Sequence, residues 1–190
     1  MEKVRCDWVL DNELSRKYHD EEWGNLDRFQ DDDYLFEMLT LEGAQAGLSW
    51  QTILNRRKHY REAFDQFKPE VVARYDETKI RELLQNEGII RNRKKIEATI
   101  QNARAFLQVQ EEYGSFHQFL WDFMDGKRIV NEWKFSHEIP ASNDLSDKLS
   151  KLLKKRNFSF VGPVICYSFL QAIGLINDHT IHCFRHPYKI

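Results

Sequence analysis

A single carboxylate within an apolar helical pattern constrains the fold of this chain more than any other feature. Leu35, Met38, Leu39, Glu42 and Ala46 recur at the spacing that places side chains on one face of a helix. Glu42 stands where leucine or isoleucine is expected. Because burying an unpaired charge is expensive, this acid predicts either the floor of a polar pocket or a core helix whose irregular end reaches the surface.

The residues after Glu42 predict a break between two helices. Gly47 is typical of a residue that ends a helix, and Ser49 is typical of one that caps the next. Trp50 then starts the second helix with a large flat side chain. An acid and an aromatic ring on the two sides of one tight break could form a pocket floor, and a core helix with its acid at the surface fits the same spacing.

The rest of the chain has helical spacing and no convincing strand alternation, which predicts an all-α fold. At 190 residues and 42% hydrophobic content, the chain fits a single unit of two closely packed lobes. Residues 1–30 are expected to be irregular, and residues 126–142 to form an extended connection. Helices are expected after caps or starts at Asp31, Ser49, Pro69, Thr78, Phe116, Asp144 and Pro163.

A short turn that contains Gly88 joins two of these predicted helices, over approximately residues 79–107. We expect Gly88 to end the first helix, and cations follow it. Backbone N–H groups at a helix start, with cations nearby, suit a nucleic-acid phosphate. An ordinary helical corner has the same pattern, since one glycine is less than a full Gly-x-Gly hairpin. The cations are Arg91, Arg93, Lys94 and Lys95.

Charge and composition exclude some classes of protein. Residues 1–42 hold 5 basic and 13 acidic residues, whereas residues 43–190 hold 23 and 17. The whole chain is therefore not basic, although a local basic face can meet phosphate. The charged start has no signal-peptide pattern, and the apolar stretch 161–176 is too short and interrupted to cross a bilayer. We expect a cytoplasmic protein with no membrane contact.

Cysteine and histidine residues near the two ends of the chain suggest a metal site. His179 and Cys183 are four residues apart and would share one face of a helical turn, and Cys6 and His19 offer a second pair. Together they make a closed Cys₂His₂ zinc set. Unrelated surface histidines and buried thiols give the same spacing, and an odd total of three cysteines does not suggest disulfides. His182 and His186 are rival ligands, and Cys166 is best interpreted as a core residue.

Several sequence blocks resemble one family. Residues 18–24 (Tyr-His-Asp-Glu-Glu-Trp-Gly), 41–50 (Leu-Glu-Gly-Ala-Gln-Ala-Gly-Leu-Ser-Trp) and 158–162 (Phe-Ser-Phe-Val-Gly) resemble the signature blocks of 3-methyladenine DNA glycosylase I, a constitutive bacterial enzyme. The blocks occur in the right order over essentially the whole chain. Asn177-Asp178-His179 and Cys183 fit the same pattern.

The resemblance implies an all-α helix-hairpin-helix glycosylase fold and one structural zinc ion that ties the two termini together. It implies that Cys6, His19, His179 and Cys183 bind the zinc. The base pocket is implied to contain Glu42, Tyr18 and Trp50, with Trp8 and Trp23 as neighbours; Gln45 is our added hypothesis. The implied DNA-binding hairpin runs from Gly88 through Ile89, Ile90, Arg91 and Arg93 to Lys94.

The implied reaction is hydrolysis of the N-glycosidic bond of 3-methyladenine in double-stranded DNA, which releases the free base and leaves an abasic site. The base must be flipped out of the stack to be reached. Residues 105–115 lack the aspartate that many helix-hairpin-helix glycosylases use, and Lys94 and Lys95 have no obvious environment that lowers their pKa. We expect a monomeric, monofunctional enzyme without lyase activity.

Three other functions remain open at this stage. A damage-binding module would use the same pocket without hydrolysis. A zinc-dependent hydrolase would use His179, Cys183 and a third ligand around an open position, although four candidate ligands favour a closed site. A helical interaction protein would make no use of an acid on an apolar face.

Overall fold

The computed structural model describes residues 3–188, and in this range nearly all of the regular secondary structure is helical, which confirms the all-α prediction. Two 3₁₀ turns, Asp65–Phe67 and Ser136–Glu138, and two short strands complete the fold. The helices are α1 Glu13–Glu21, α2 Asp32–Gln45, α3 Trp50–Ala63, α4 Pro69–Val72, α5 Glu77–Gln85, α6 Arg93–Tyr113, α7 Phe116–Phe123, α8 Asp144–Lys155 and α9 Pro163–Ala172.

Side-chain caps set most of the helix starts. Asp31 accepts a hydrogen bond from the backbone N–H of Tyr34 and starts α2, and Ser49 accepts one from Thr52 and starts α3, both as predicted. The predicted cap at Thr78 is wrong. Asp76 caps α5 instead, because its carboxylate accepts from the N–H of Lys79.

The prediction that residues 1–30 are irregular is also wrong, because α1 lies within them. Its cap is Asn12, and the side chains that it buries are Ser15, Tyr18 and His19. This buried face is largely polar, and Leu14 and Tyr18 are the only large apolar residues of the helix, too few to mark it as an apolar stripe. Gly88 does not end a helix either: α5 ends at Gln85, and Gly88 lies in the turn that follows.

Two residue pairs form the short parallel sheet, in which β1 Ile129–Val130 lies beside β2 Ile176–Asn177. Apart from β1 and the 3₁₀ turn Ser136–Glu138, residues 126–142 form the extended connection that the sequence predicts. A strand of two residues is too short for alternation to reveal it. This pairing places the segment after β2 beside the connection that precedes α8.

Helix α2 lies at the centre of the fold and packs against α3, α6, α7 and α9. All of its residues from Tyr34 to Ala44 are buried. Glu42 is therefore on a helix that is enclosed on every side, which rules out the alternative of an acid at an exposed helix end. None of the helices within residues 3–188 is long and apolar enough to cross a membrane.

A buried ion cluster joins α2 and α3 to the end of α1. The guanidinium of Arg57 donates to Glu37 at 2.7 Å and to Glu22 at 2.8 and 2.9 Å. Arg61 donates to the same Glu37 carboxylate. The side chains of Arg57 and Glu37 are only 8% and 5% exposed, so both charges depend on their partners.

Candidate functional site

A cleft of ≈ 290 Å³ opens beside the end of α2, where the sequence predicts a pocket. It lies between the N-terminal segment, α1, the start of α3, α9 and the turn at residues 136–139. Glu42 and the five predicted base-binding residues all line it, although their individual roles stay predictions. The lining residues are Trp8, Tyr18, Trp23, Glu42, Gln45, Trp50, Ser136, Ile139, Ser168 and Gln171.

The aromatic rings of the cleft pack against one another. The ring centroids of Tyr18 and Trp50 are 5.1 Å apart with a 47° tilt, and those of Trp8 and Trp23 are 5.0 Å apart at 72°. A base stacked between Tyr18 and Trp50 would need about 7 Å between the rings, twice a contact distance of ~3.5 Å. The expected sandwich is therefore not preformed, and a base must either lie on one open face or move a ring.

Glu42 is buried in this cleft without a protein partner. Its residue exposure is 4%, and it makes no hydrogen bond or ion pair with any residue from 3 to 188. Burial raises the pKa of its carboxyl from 4.5 to about 8. The indole Nε1 atoms of Trp8 and Trp50 are also buried without a hydrogen-bond partner. Unpartnered polar groups gathered around one cleft are typical of a binding site.

Gln171 is a cleft residue that the sequence analysis missed. Its amide Nε2 donates to the buried Asp178 at 2.7 Å, so its Oε1 must be the free acceptor, because a carboxylate can only accept. Asp178 also accepts hydrogen bonds from Asn131, Trp133 and Tyr167. The helical pattern places Gln171 on a buried helix, but only the fold brings that helix to Glu42. The sequence analysis also missed Ser136, Ile139 and Ser168, because only the packing of their segments brings them to the cleft.

The four predicted metal ligands form one buried cluster, with their ligand atoms within 4.8 Å of one another. Cys183 Sγ lies 3.4 Å from His19 Nε2 and 3.5 Å from His179 Nδ1, and Cys6 Sγ lies 3.6 Å from His179 Nδ1. Zinc bonds of ~2.3 Å to sulfur and ~2.1 Å to nitrogen at tetrahedral angles place such atoms about 3.6 Å apart. The donor set therefore fits a tetrahedral ion.

Hydrogen bonds around the cluster orient the two imidazole rings and fix which nitrogen of each carries the proton. His19 Nδ1 donates to the carboxylate of Asp20 at 2.8 Å, and His179 Nε2 donates to the carbonyl of Trp23 at 2.9 Å. Each contact leaves the other ring nitrogen without a proton and therefore able to bind a metal. The Cys6 thiol donates a hydrogen bond to the Cys183 sulfur, which holds the pKa of Cys183 well below its usual range and that of Cys6 above it. One of the two sulfurs is therefore favoured as the thiolate that a metal requires, and binding of a metal would displace the proton of the other.

The rival ligands lie outside this cluster. His182 is exposed, and His186 bonds the carbonyl of Asn131. Cys166 is fully buried in the core, as predicted. His179 and Cys183 do not share a helical turn; they meet because residues 180–183 form a tight turn in which the Cys183 N–H donates to the carbonyl of Thr180.

The predicted hairpin is a compact turn between α5 and α6. A side chain at Gly88 would approach His59 to 2.7 Å, so glycine is required there. Arg93 forms ion pairs with Glu77 and Glu97, and Arg91 lies 3.6 Å from Glu87. Two of the three cations in the implied DNA-binding hairpin are therefore already paired. Ile89 is buried, and the N–H of Ile90 donates to Tyr60.

Nothing in the sequence indicated a lowered pKa for Lys95, but burial lowers the pKa of its ammonium. Its ammonium donates to the carbonyls of Ala44 and Ala46 at 2.8 and 2.7 Å. Lys94 is exposed and makes no ion pair or hydrogen bond within residues 3–188. The two neighbouring lysines therefore have different environments.

Comparison with known proteins shows which family has this sequence and this fold. A family model described as methyladenine glycosylase matches residues 8–186. The DNA-3-methyladenine glycosylase 1 of Escherichia coli (strain K12) is 49% identical over 96% of this chain and 97% of its own length. A crystal structure of 3-methyladenine DNA glycosylase I, 51% identical, matches 97% of this chain and all of its own with a TM-score of 0.91.

A solved structure from Staphylococcus aureus describes 3-methyladenine recognition by its 3-methyladenine DNA glycosylase I. It is 37% identical to this chain, with a TM-score of 0.92, and the match covers 97% of each chain. The fold, the cleft and these matches define a DNA repair glycosylase, an enzyme that cleaves the bond between a base and its sugar. The chain belongs to the methyladenine glycosylase family.

Proposed function

We propose that this chain hydrolyses the N-glycosidic bond of 3-methyladenine in alkylated double-stranded DNA and leaves an abasic site. The observation that carries the proposal is the buried, unpartnered carboxyl of Glu42 in an aromatic cleft, in a chain of the methyladenine glycosylase family. The target nucleotide is flipped out of the duplex into this cleft. The abasic DNA and the free base are the products.

The charge of the lesion makes Glu42 selective. 3-Methyladenine is cationic while it is attached to the sugar, and a nearby opposite charge lowers the pKa of a carboxyl. Binding of the lesion therefore favours the carboxylate of Glu42, whereas neutral adenine brings no charge to offset the cost of burying it. Glu42 thus discriminates by stabilising the cationic base and by accepting a hydrogen bond from its edge.

The reaction needs little proton transfer to the leaving base. The C1′–N9 bond breaks with its electron pair going to N9, so the cationic base leaves neutral, and water adds to C1′ and loses a proton to solvent. The aromatic faces of Tyr18 and Trp50 stabilise the cationic base before it leaves, after one ring has moved to admit it. Trp8 and Trp23 form the neighbouring wall. Gln45 makes no hydrogen bond to Glu42, so of its two hypothesised roles we keep the reading of the base.

We propose that the ion held by Cys6, His19, His179 and Cys183 is zinc and that its role is structural. Four protein ligands fill a tetrahedral ion and leave no position for water or substrate. When bound, the ion would tie the N-terminal segment that carries Trp8 to the C-terminal segment. The closed set also argues against a zinc-dependent hydrolase.

We propose that the turn from Gly88 through Ile89 and Ile90 to Lys94 binds a DNA phosphate. Because Arg91 and Arg93 are paired with carboxylates, backbone N–H groups at the start of α6 and the unpaired Lys94 are the stronger donors. The ammonium of Lys95 is bound to two carbonyls, so it does not serve as a lyase nucleophile. We infer a monofunctional enzyme that acts as a monomeric, cytoplasmic single unit of two lobes.

The test is incubation with methylated double-stranded DNA, followed by identification of the released base and inspection of the strands. We expect free 3-methyladenine, alkali-sensitive but unbroken strands, and no protein–DNA adduct on borohydride treatment. An adduct would refute the monofunctional assignment. Tight binding of alkylated DNA without base release would instead favour the damage-binding module.

A further inference from the structure

Lys95 makes a contact that nothing in the proposed reaction uses. Its ammonium reaches from the first turn of α6, directly after the hairpin turn, to the carbonyls of Ala44 and Ala46 at the end of α2. These acceptors flank Gln45 and lie on the segment that joins Glu42 to Trp50. The contact therefore links the candidate phosphate-binding turn to the base cleft.

The end of α2 depends on this lysine for its hydrogen bonds. The last carbonyls of a helix have no partner within the helix. Local N–H groups satisfy two of them, since Ala46 donates to Gly43 and Leu48 donates to Gln45. Lys95 satisfies the carbonyls of Ala44 and Ala46. The last turn of α2 contains no basic residue of its own.

The position of Lys95 is favourable for α2 but not for its own helix. A cation is disfavoured in the first turn of a helix and favoured at the end of one. The first turn of α6 contains no acidic residue to offset it. Asn92 caps α6 by accepting the backbone N–H of Lys95, so the backbone and the ammonium of this residue are held at the same time.

A second contact makes α6 the common support of the cleft. Asn102 donates to the carbonyl of Ser159 at 2.9 Å and accepts from its N–H at 2.7 Å. Ser159 lies in the segment that leads into α9, which contributes Ser168 and Gln171 to the cleft. The helix that follows the hairpin thus holds both α2 and the approach to α9.

Two other roles for Lys95 fit the contacts less well. It does not act as the counter-ion of Glu42, because Glu42 makes no ion pair with any residue from 3 to 188 and the Lys95 ammonium bonds two carbonyls instead. A phosphate contact would compete with the two carbonyls that the ammonium already bonds. Its exposed neighbour Lys94 makes no hydrogen bond or ion pair within residues 3–188, so a phosphate could bind Lys94 without breaking a contact.

We propose that Lys95 is a positioning residue, which fixes the end of α2 and the turn before Trp50 so that DNA held at the hairpin meets a correctly shaped cleft. This inference rests on the proposed function, because it assigns Lys95 a role in the excision of a base from hairpin-bound DNA. Lys95 itself touches no reacting atom.

The test compares Lys95→Met with the control variant Lys151→Met, which removes an exposed ammonium of α8 that makes no ion pair or hydrogen bond within residues 3–188. Single-turnover excision of 3-methyladenine is measured from methylated duplex at saturating enzyme, together with affinity for undamaged duplex across salt concentrations. Both are measured well below the melting temperature of each variant. Lys95→Arg is included because a cation that reaches the same carbonyls should restore part of the rate.

For Lys95→Met we expect slower excision by roughly tenfold or more, the effect of losing hydrogen bonds from a charged donor, with unchanged affinity for undamaged DNA. For Lys151→Met we expect wild-type excision and wild-type affinity for undamaged DNA at every salt concentration.

Wild-type excision by saturated Lys95→Met would overturn the inference. So would a pure loss of affinity with a reduced salt slope, since that would identify a phosphate contact, or a slow Lys95→Arg variant with no partial rescue. If the wild-type protein releases no base, the proposed function fails and the inference fails with it. If the wild type releases 3-methyladenine and Lys95→Met excises it at the same rate, the inference fails and the proposed function stands.

Discussion

Replacing Glu42 with glutamine is expected to make the protein more stable at neutral and alkaline pH. Burial raises the pKa of the Glu42 carboxyl from 4.5 to about 8, so the unfolded chain releases this proton at a lower pH than the folded protein does. The carboxyl therefore costs no stability below pH 4.5, and the cost grows as the pH rises toward 8. Glutamine has nearly the same shape and never ionises.

The size of the effect follows from the shift. Each unit between the folded and unfolded pKa is worth about 1.36 kcal/mol. At pH 7 the free energy of unfolding of the wild type should therefore be lower than that of Glu42→Gln by about 3 kcal/mol, and above pH 8 by about 5 kcal/mol. Water that enters the cleft reduces these values, which are upper limits.

Urea denaturation of both proteins at pH 5, 7 and 9 measures this difference. The two stabilities should be similar at pH 5, and the advantage of Glu42→Gln should grow with pH. A less stable Glu42→Gln protein at pH 9, or a difference that does not depend on pH, would refute the claim that Glu42 is buried without a partner. The same variant should lose excision, so stability and activity should move in opposite directions.

Two further perturbations test other parts of the structure. Glu37→Gln should lower the free energy of unfolding by roughly 3 kcal/mol or more, because it breaks the buried pair with Arg57; Glu62→Gln, which breaks an exposed pair at 4.0 Å, should change it by less than about 1 kcal/mol. Equal effects in the two urea titrations would contradict the importance of the buried cluster. Metal analysis should find one zinc ion per chain in the wild type and in Cys166→Ala, and none in Cys183→Ala. Zinc retained by Cys183→Ala would refute the assigned ligand set.

The parts of the fold that follow from local chemistry could be predicted from the sequence. The caps at Asp31 and Ser49 and the break between Glu42 and Trp50 are set by neighbouring residues, and the structure has them where expected. Helix α1 could not be predicted from hydrophobic spacing, because its buried face is largely polar. Its packing against the rest of the chain supplies what the local pattern lacks.

The metal site shows a second limit of prediction from sequence. Two Cys/His pairs can be found by spacing, but only the fold separates His179, which faces both cysteines, from His186, which bonds a carbonyl elsewhere. The contacts of Lys95 with α2 and of Gln171 with Asp178 join separate elements. No local pattern marks them, because each depends on how helices pack.

The most direct test of the central claim is a comparison of base release by wild type and Glu42→Gln from one preparation of methylated duplex DNA. The account predicts that the wild type releases 3-methyladenine and no 7-methylguanine. It also predicts that Glu42→Gln, although folded and bound equally well to undamaged duplex, releases little of either base. Excision of 3-methyladenine by Glu42→Gln at the wild-type rate would contradict the role of the buried carboxylate.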